Sequence, residues 1–393
     1  MSMRVNGGFD VEDLSSQLIL FHPVSMASKH IAIFTRYLPM GGIQKIAVRL
    51  ANEFAKRGHT VDLVLAKGKG ALADDVHPEV RTVDLNKNRV WFAVPALWGY
   101  LLRRRPHVLL ALGLTANVVA TWAKIISMHN LRVVISVSSN MSRYSENDSM
   151  WYSKYIPLSI NLFYPLADKI IAVSEGVLED LSSISLRAAR KGRVIYNPVV
   201  DSEILQRAEE PISHPWLEEK NVPVVLGVGR LTPQKNFDLL LRAFARMKKG
   251  RDARLIILGD GSQRGHLEAQ IEALEIGDRV DLHGFVDNPY PFMKKASLFV
   301  LSSNYEGLPS VPIQAFACGC PVVSTDCPSG PREILEDGKW GRLVPVSDEE
   351  ALAAAMRKSL DEEHDPERLR RRAMDFSVDQ AVDNYLDVLF PDG

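Results

Sequence analysis

Leu301–Leu335, reading LSSNYEGLPSVPIQAFACGCPVVSTDCPSGPREIL, gathers the residues best suited to chemistry. Glu306 stands in a Tyr–Glu–Gly–Leu–Pro turn after an apolar run, Ser297–Leu301, that reads as a buried strand. Ser310 reads as the N-cap of a short helix carrying Val311, Gln314, Ala315 and Cys318, which Gly319 ends before a strand beginning Pro321–Val322–Val323. A carboxylate at a strand end, beside the N–H groups that open a helix, suits an anionic ligand rich in hydroxyls. The amides and helix dipole hold phosphate, and the carboxylate accepts from sugar hydroxyls. The plain alternative is an ordinary strand–helix–strand unit with Glu306 on a solvated loop.

Two further groups belong beside this one. Arg230 and Lys235 stand in Gly229–Asn236, GRLTPQKN, between the apolar run Val224–Val228 and a helix with the stripe Phe237, Leu240, Leu241, Phe244 and Met247. Such a strand–helix loop is where an open α/β sheet binds its ligand, and an arginine fork with a lysine point charge suits a diphosphate. Gly41 and Gly42 precede a helix with the apolar face Ile43, Ala47, Leu50 and Phe54. Paired glycines there let backbone approach a phosphate. A solvated basic loop and an ordinary turn compete as accounts of these two strings. The strict G-x-G-x-x-G dinucleotide fingerprint is absent.

Together the strings resemble family 4 of the retaining GT-B glycosyltransferases (glycosyl transferases group 1). The likeness runs from Ile31 to Phe390 and is carried most specifically by Glu306 through Glu333, where the family places two glutamates eight positions apart. It implies an α/β GT-B fold: two Rossmann-like parallel-sheet domains facing a central cleft, with a C-terminal helix crossing back to the first. It implies a transferase moving a sugar from a nucleotide-sugar, UDP favoured over GDP, to a hydroxyl of a glycan, with retention and with no metal or other cofactor. No Asp-x-Asp string occurs. Glu306 would position the donor sugar as the catalytic residue. Gly41, Gly42, Arg230, Lys235, Gly307, Leu308 and Gln314 would hold the donor, and His283–Val286 resembles the segment whose backbone meets the base. Where the family has its second glutamate this chain has Gln314, which keeps an acceptor oxygen but loses charge-assisted strength. Many members carry a histidine after the strand matching Val133–Val137. Ser138–Arg143 has none, which leaves Asn140 and Arg143 as acceptor-side candidates and the donor phosphate as the base. STDCPSGPREIL is similar to members that build bacterial glycans, so the resemblance implies polysaccharide or lipopolysaccharide assembly on a lipid-linked acceptor.

The elements that must hold these residues alternate strand with helix. Strands are expected at His30–Tyr37, Val61–Ala66, Val80–Val83, Val108–Leu112, Val133–Val137, Lys169–Val173 and Arg193–Tyr196, then Val224–Val228, Leu255–Leu258 and Val280–Leu282. That alternation predicts two parallel sheets. Residues 1–28 read as a poorly ordered extension, 29–208 as an acceptor-side domain and 209–222 as a Pro- and charge-rich linker. Residues 223–375 read as the nucleotide-sugar domain and 376–393 as a helix returning to the first.

Composition narrows the classes. The 393 residues carry a net charge of −1, which argues against a nucleic-acid partner. The three cysteines, Cys318, Cys320 and Cys327, lack the ligand spacing of a zinc site and fit small buried residues in a reducing cytoplasm. No convincing leader or membrane span is read. Yet Asn86–Ser145 contains no Asp or Glu, and Lys87, Arg89, Arg103, Arg104, Arg105, Lys124, Arg132 and Arg143 alternate there with Trp91, Phe92, Trp98, Tyr100 and Trp122. Cations interleaved with aromatics suit an anionic membrane surface, hence a cytoplasmic protein peripheral on the inner face of the membrane. A solvated positive face is the alternative. A nucleotide-sugar 2-epimerase on a related fold, or a non-catalytic nucleotide-binding protein supported by Gln314, remain competing functions.

Overall fold

The computed structural model describes residues 28–38, 41–68, 70, 72–127, 130–142, 155–218, 222–248 and 252–391. The first sheet comprises β1 (His30–Thr35), β2 (Thr60–Leu65), β3 (Arg81–Asp84), β4 (Val108–Leu112), β5 (Arg132–Val137), β6 (Lys169–Ala172) and β7 (Gly192–Val194). The connecting helices are α1 (Gly42–Lys56), α2 (Ala93–Arg104), α3 (Leu114–Ile126), α4 (Ile156–Phe163), α5 (Glu175–Ile184), α6 (Leu186–Ala189) and α7 (Ser202–Ala208). All strand pairs are parallel, in the order β3-β2-β1-β4-β5-β6-β7. Val108–Leu112 is buried at every position, because a parallel sheet covered on both faces demands continuous apolar runs.

After a helical turn, α8 (Pro215–Glu218), come β8 (Val224–Val228), α9 (Phe237–Lys248), β9 (Arg254–Leu258), α10 (Arg264–Ala273), β10 (Val280–Gly284) and α11 (Tyr290–Lys295). The chain continues with β11 (Leu298–Leu301), α12 (Ser310–Ala317), β12 (Val322–Thr325), α13 (Pro331–Ile334) and β13 (Arg342–Val344). Helices α14 (Glu349–Asp361), α15 (Pro366–Met374) and α16 (Val378–Leu389) follow. The second sheet is again all parallel, in the order β10-β9-β8-β11-β12-β13. Strand order reverses between β1 and β4 in one sheet and between β8 and β11 in the other, so each sheet has a switch point where its loops splay apart.

The chain crosses back at Phe376, whose carbonyl accepts from the amides of Val199 and Val200 at 3.1 and 3.0 Å. Val378, Val382, Tyr385, Leu386 and Leu389 of α16 then bury among Ile31, Ile33 and Val61 of the first sheet. Arg57 grips Asp379 and Asp383 on the same helix.

Several expected features differ in detail. Among the described residues of 209–222, α8 follows a buried His214, whose Nε2 meets Asp281 of β10 at 3.1 Å. β13 and α15 were not legible: one is a three-residue edge strand, the other a helix of mostly charged side chains. Ser310 does not cap α12; Pro309 occupies that position in an extended conformation, and Ser310 opens the helix without a capping bond. The expected extension at 1–28 falls outside the described residues except for Ser28.

Candidate active site

Both switch points place the chemistry-bearing residues at the carboxyl ends of strands. Gly41 and Gly42 follow β1, Arg230 and Lys235 follow β8, and Glu306 follows β11. Lys235 Nζ donates to Glu306 Oε1 at 2.6 Å, and Ser303 Oγ donates to the same oxygen at 2.7 Å. Thr325 Oγ1 donates to the Ser303 carbonyl at 2.6 Å, so β12 fixes the serine that fixes the glutamate. Gln234 Nε2 reaches the Tyr305 carbonyl at 3.0 Å and Asn236 Nδ2 reaches Asn304 Oδ1 at 2.9 Å, lacing the two loops together.

Glu306 is only 8% exposed, yet its Oε2 has no partner among the described residues. The amides of Gly307 and Leu308 likewise donate to nothing among them, and the first amides of α12 are left open by its uncapped start. Arg230 is exposed, with no side-chain bond among the described residues. Gln314 is half-buried on α12, and its side-chain amide likewise has no partner among the described residues. Gly42 opens α1 with empty space where a Cβ would stand. The result is one fixed carboxylate oxygen, one available oxygen, a cluster of open N–H groups and a nearby unpaired guanidinium. Such a set binds hydroxyls and phosphate together.

The carboxyl ends of the two sheets meet beside this site. Ser174 Oγ donates to the Gly307 carbonyl at 3.0 Å. A Cβ on Gly307 would lie 2.1 Å from the Ser138 carbonyl oxygen. Gly330, at φ +91°, would bring one within 2.7 Å of the Gly307 carbonyl oxygen. Glycine is therefore required at both positions by the closeness of the seam. Glu333 crosses the seam, accepting from the amides of Glu175 and Gly176 at 2.8 and 3.0 Å, at the N-terminus of α5. Burial pushes the Glu333 carboxyl above its ordinary range against the pull of those amides. Burial, then the charge of Glu333, pushes the Tyr196 phenol up to about 12.

Asn140 is buried in the same seam, where its Nδ2 donates to Ser329 Oγ at 3.2 Å, so it joins the two halves. Arg143, the other acceptor-side candidate, lies outside the described residues. Sequence reasoning passed over Ser303, Thr325 and the seam role of Glu333. The signal for Ser303 was available in the polar run Ser302–Ser303–Asn304 that ends an otherwise apolar strand.

Cys318, Cys320 and Cys327 are all free and buried. Burial raises all three thiols, Cys318 to about 12. One group among the described residues has metal-like spacing, His214, Asp281 and His283, with ligand atoms within 4.8 Å of one another. His214 Nδ1 accepts from the Trp216 amide at 3.3 Å, so its Nε2 is the donor that faces Asp281 at 3.1 Å. His283 Nδ1 meets the same carboxylate oxygen at 2.9 Å, so the three side chains already partner one another. Among the described residues no helix is long and apolar enough to cross a membrane.

Comparison with known proteins agrees with this geometry. Residues 40–203 match the model described as Glycosyltransferase Family 4, and residues 209–376 match Glycosyl transferases group 1. The chain is 35% identical, over 63% of its own length and 65% of the relative's, to an N-acetylgalactosamine-N,N'-diacetylbacillosaminyl-diphospho-undecaprenol 4-alpha-N-acetylgalactosaminyltransferase of Campylobacter jejuni. It is 32% identical, over 65% of this chain and 70% of the relative, to an uncharacterized glycosyltransferase of Methanocaldococcus jannaschii. Among solved structures, Anabaena Alr3699/HepE in complex with UDP superposes with a TM-score of 0.74 at 20% identity, covering 92% of this chain and 99% of that one. With both halves matched and two parallel sheets meeting at their carboxyl ends, the chain belongs to glycosyltransferase family 4 and has the GT-B fold.

Proposed function

We propose that this protein moves a hexosyl or N-acetylhexosaminyl group from a UDP-sugar to a hydroxyl of a lipid-linked glycan, in bacterial polysaccharide or lipopolysaccharide assembly. The reading includes retention of anomeric configuration and a metal-free donor site. It puts the protein at the inner face of the cytoplasmic membrane. The observation that carries it is the buried Glu306, whose Oε1 is held by Lys235 and Ser303 while Oε2 stays available beside the open amides of Gly307 and Leu308. The lipid-linked acceptor is supported by the name of the Campylobacter relative, and uridine by the UDP-bound fold neighbour.

Without donor, Lys235 and Glu306 neutralise each other. A diphosphate offers the lysine two further negative charges, so it shifts toward the phosphates and joins Arg230 and the α12 amides as counter-charge. Glu306, still anchored by Ser303, then accepts from the donor sugar's hydroxyls and holds the anomeric carbon in line. The acceptor oxygen bonds to that carbon as the bond to the β-phosphate breaks. The leaving phosphate oxygen takes the electron pair and then the acceptor's proton. Gln314 binds the ribose hydroxyls as acceptor and donor.

The test is nucleotide release from a panel of UDP- and GDP-sugars, with and without extracted bacterial lipids, beside Glu306→Ala. Release that requires lipid and vanishes in the variant supports the reading. Tight nucleotide binding with no release from any donor replaces it with a binding protein.

A further inference from the structure

The acid-free span read from the sequence is only partly a surface. Tyr100 is buried and bonds Asp62 at 2.7 Å, and Arg104 bonds the same carboxylate. Arg132 donates to the Val388 carbonyl, and Lys124 is neutralised by Asp168 at 2.5 Å. Arg89, Arg103, Arg105, Trp91 and Phe92 of the span stand exposed, and a further apolar face lies on α3 and α4, partly beyond it.

On α3, Trp122, Ile125 and Ile126 are 42, 62 and 44% exposed and fall on one stripe at spacings of three and four, while Ala116, Val119, Ala120 and Ala123 bury the opposite side. On α4 and the 3-10 turn Tyr164–Leu166 that extends it, Leu158, Leu162 and Leu166 are 55, 56 and 39% exposed, again four apart. The Trp122 ring lies 5.4 Å from that of Phe163, which joins the two stripes. Six large apolar side chains left in water on adjoining elements mark a surface that is covered in use.

We infer that this face docks on an anionic lipid bilayer, which deepens the reading above and rests on its lipid-linked acceptor. The charge pattern selects that occupant. α3, α4, the 3-10 turn and α6, which packs against α4, contain no Asp or Glu; α5, which also packs against α4, carries Glu175, Glu179 and Asp180, the last accepting from the Met141 and Ser142 amides. Lys169, Arg187 and Arg190 stand exposed beside them. An apolar centre with a tryptophan and a cationic fringe matches acyl chains under anionic headgroups. A second copy paired about a two-fold axis would instead bring that fringe against its own like, with no acid on α3, α4, the 3-10 turn or α6 to answer it.

The experiment floats the full-length protein with vesicles of phosphatidylethanolamine and phosphatidylglycerol, beside Leu158→Glu/Leu162→Glu, and separately measures transfer to a water-soluble short-chain acceptor. The expected result is co-flotation that weakens about tenfold or more in the double variant and falls with added salt, while soluble transfer is retained. Should the glutamates prevent folding, Arg187→Ser/Arg190→Ser gives a second reading, expected to weaken flotation by about fivefold. Wild-type protein that stays in solution, or floats equally well as both variants, overturns the inference. So does a concentration-dependent dimer that the double variant dissolves. Flotation lost in the double variant without nucleotide release from any donor would keep the docking face and defeat the transferase reading instead.

Discussion

Glu306 and Asp62 are both buried carboxylates held by charged and hydroxyl partners, and they are built for opposite ends. Asp62 lies within β2, where His30, Tyr100 and Arg104 all approach Oδ2, at 3.1, 2.7 and 3.2 Å. Its side chain is fully enclosed, and Oδ1 is buried without a partner among the described residues. Glu306 lies just beyond β11, where the strand has ended and the cleft begins, so its second oxygen has somewhere to go. Asp62 stands three residues inside the carboxyl end of its strand and Glu306 five residues beyond the end of its own, which under the proposed function separates a structural acid from a working one. Burial alone identifies neither; the direction of the spare lone pairs does.

The comparison can be broken by exchanging the expected consequences. Glu306→Ala should lower transfer about 10³-fold with the melting temperature nearly unchanged, as followed by nucleotide release and thermal melts. A large loss of stability with activity preserved would reverse the assignment.

Asp62→Asn should do the opposite, costing about 3 kcal/mol of stability with kcat unchanged, because it leaves His30 and Arg104 facing a neutral group. Burial would raise the Asp62 carboxyl, but the bonds from His30, Tyr100 and Arg104 prevail and lower it to about 2. A depressed carboxylate contributes stability above its unfolded pKa of about 4 and loses it as pH falls toward the folded value. The gap between wild type and Asp62→Asn should therefore be full at neutral pH and narrow between about pH 4 and pH 2, read by urea titration.

Ser303→Ala should lower kcat about tenfold while leaving donor KM nearly constant, since it loosens a residue that orients the sugar and not the diphosphate. An equal rise in KM would make Ser303 part of the donor grip. The smallest effect belongs to Gln314→Glu, expected to tighten donor KM about threefold through a charge-assisted bond. A large gain in kcat would mean that the native residue cripples the site.

The half of the molecule built on the second sheet was the more legible in sequence. GRLTPQKN and YEGLPS are contiguous strings, and each lies in one loop of the second sheet, so local spacing carries their geometry. Glu333 and Asn140 depend on how two sheets approach, a relation between residues 158 and 189 positions from their partners Glu175 and Ser329. No local pattern holds that information. The ion pairs within the acid-free span were hidden for a similar reason: counting cations from Asn86 to Ser145 cannot reveal that Arg104 and Lys124 meet acids from Asp62 and Asp168. Strands were found because continuous apolar runs in a parallel sheet are local, whereas α15 presents mostly charge and signals itself poorly.

The return of α16 has a consequence for biosynthesis. The helix completes the core over Ile31, Ile33 and Val61, yet it leaves the ribosome only after the entire second sheet. The first sheet therefore waits through the translation of the second with the apolar flank at Ile31, Ile33 and Val61 lacking its helical cover. Its final closure comes after translation of both sheets, and the two halves mature together.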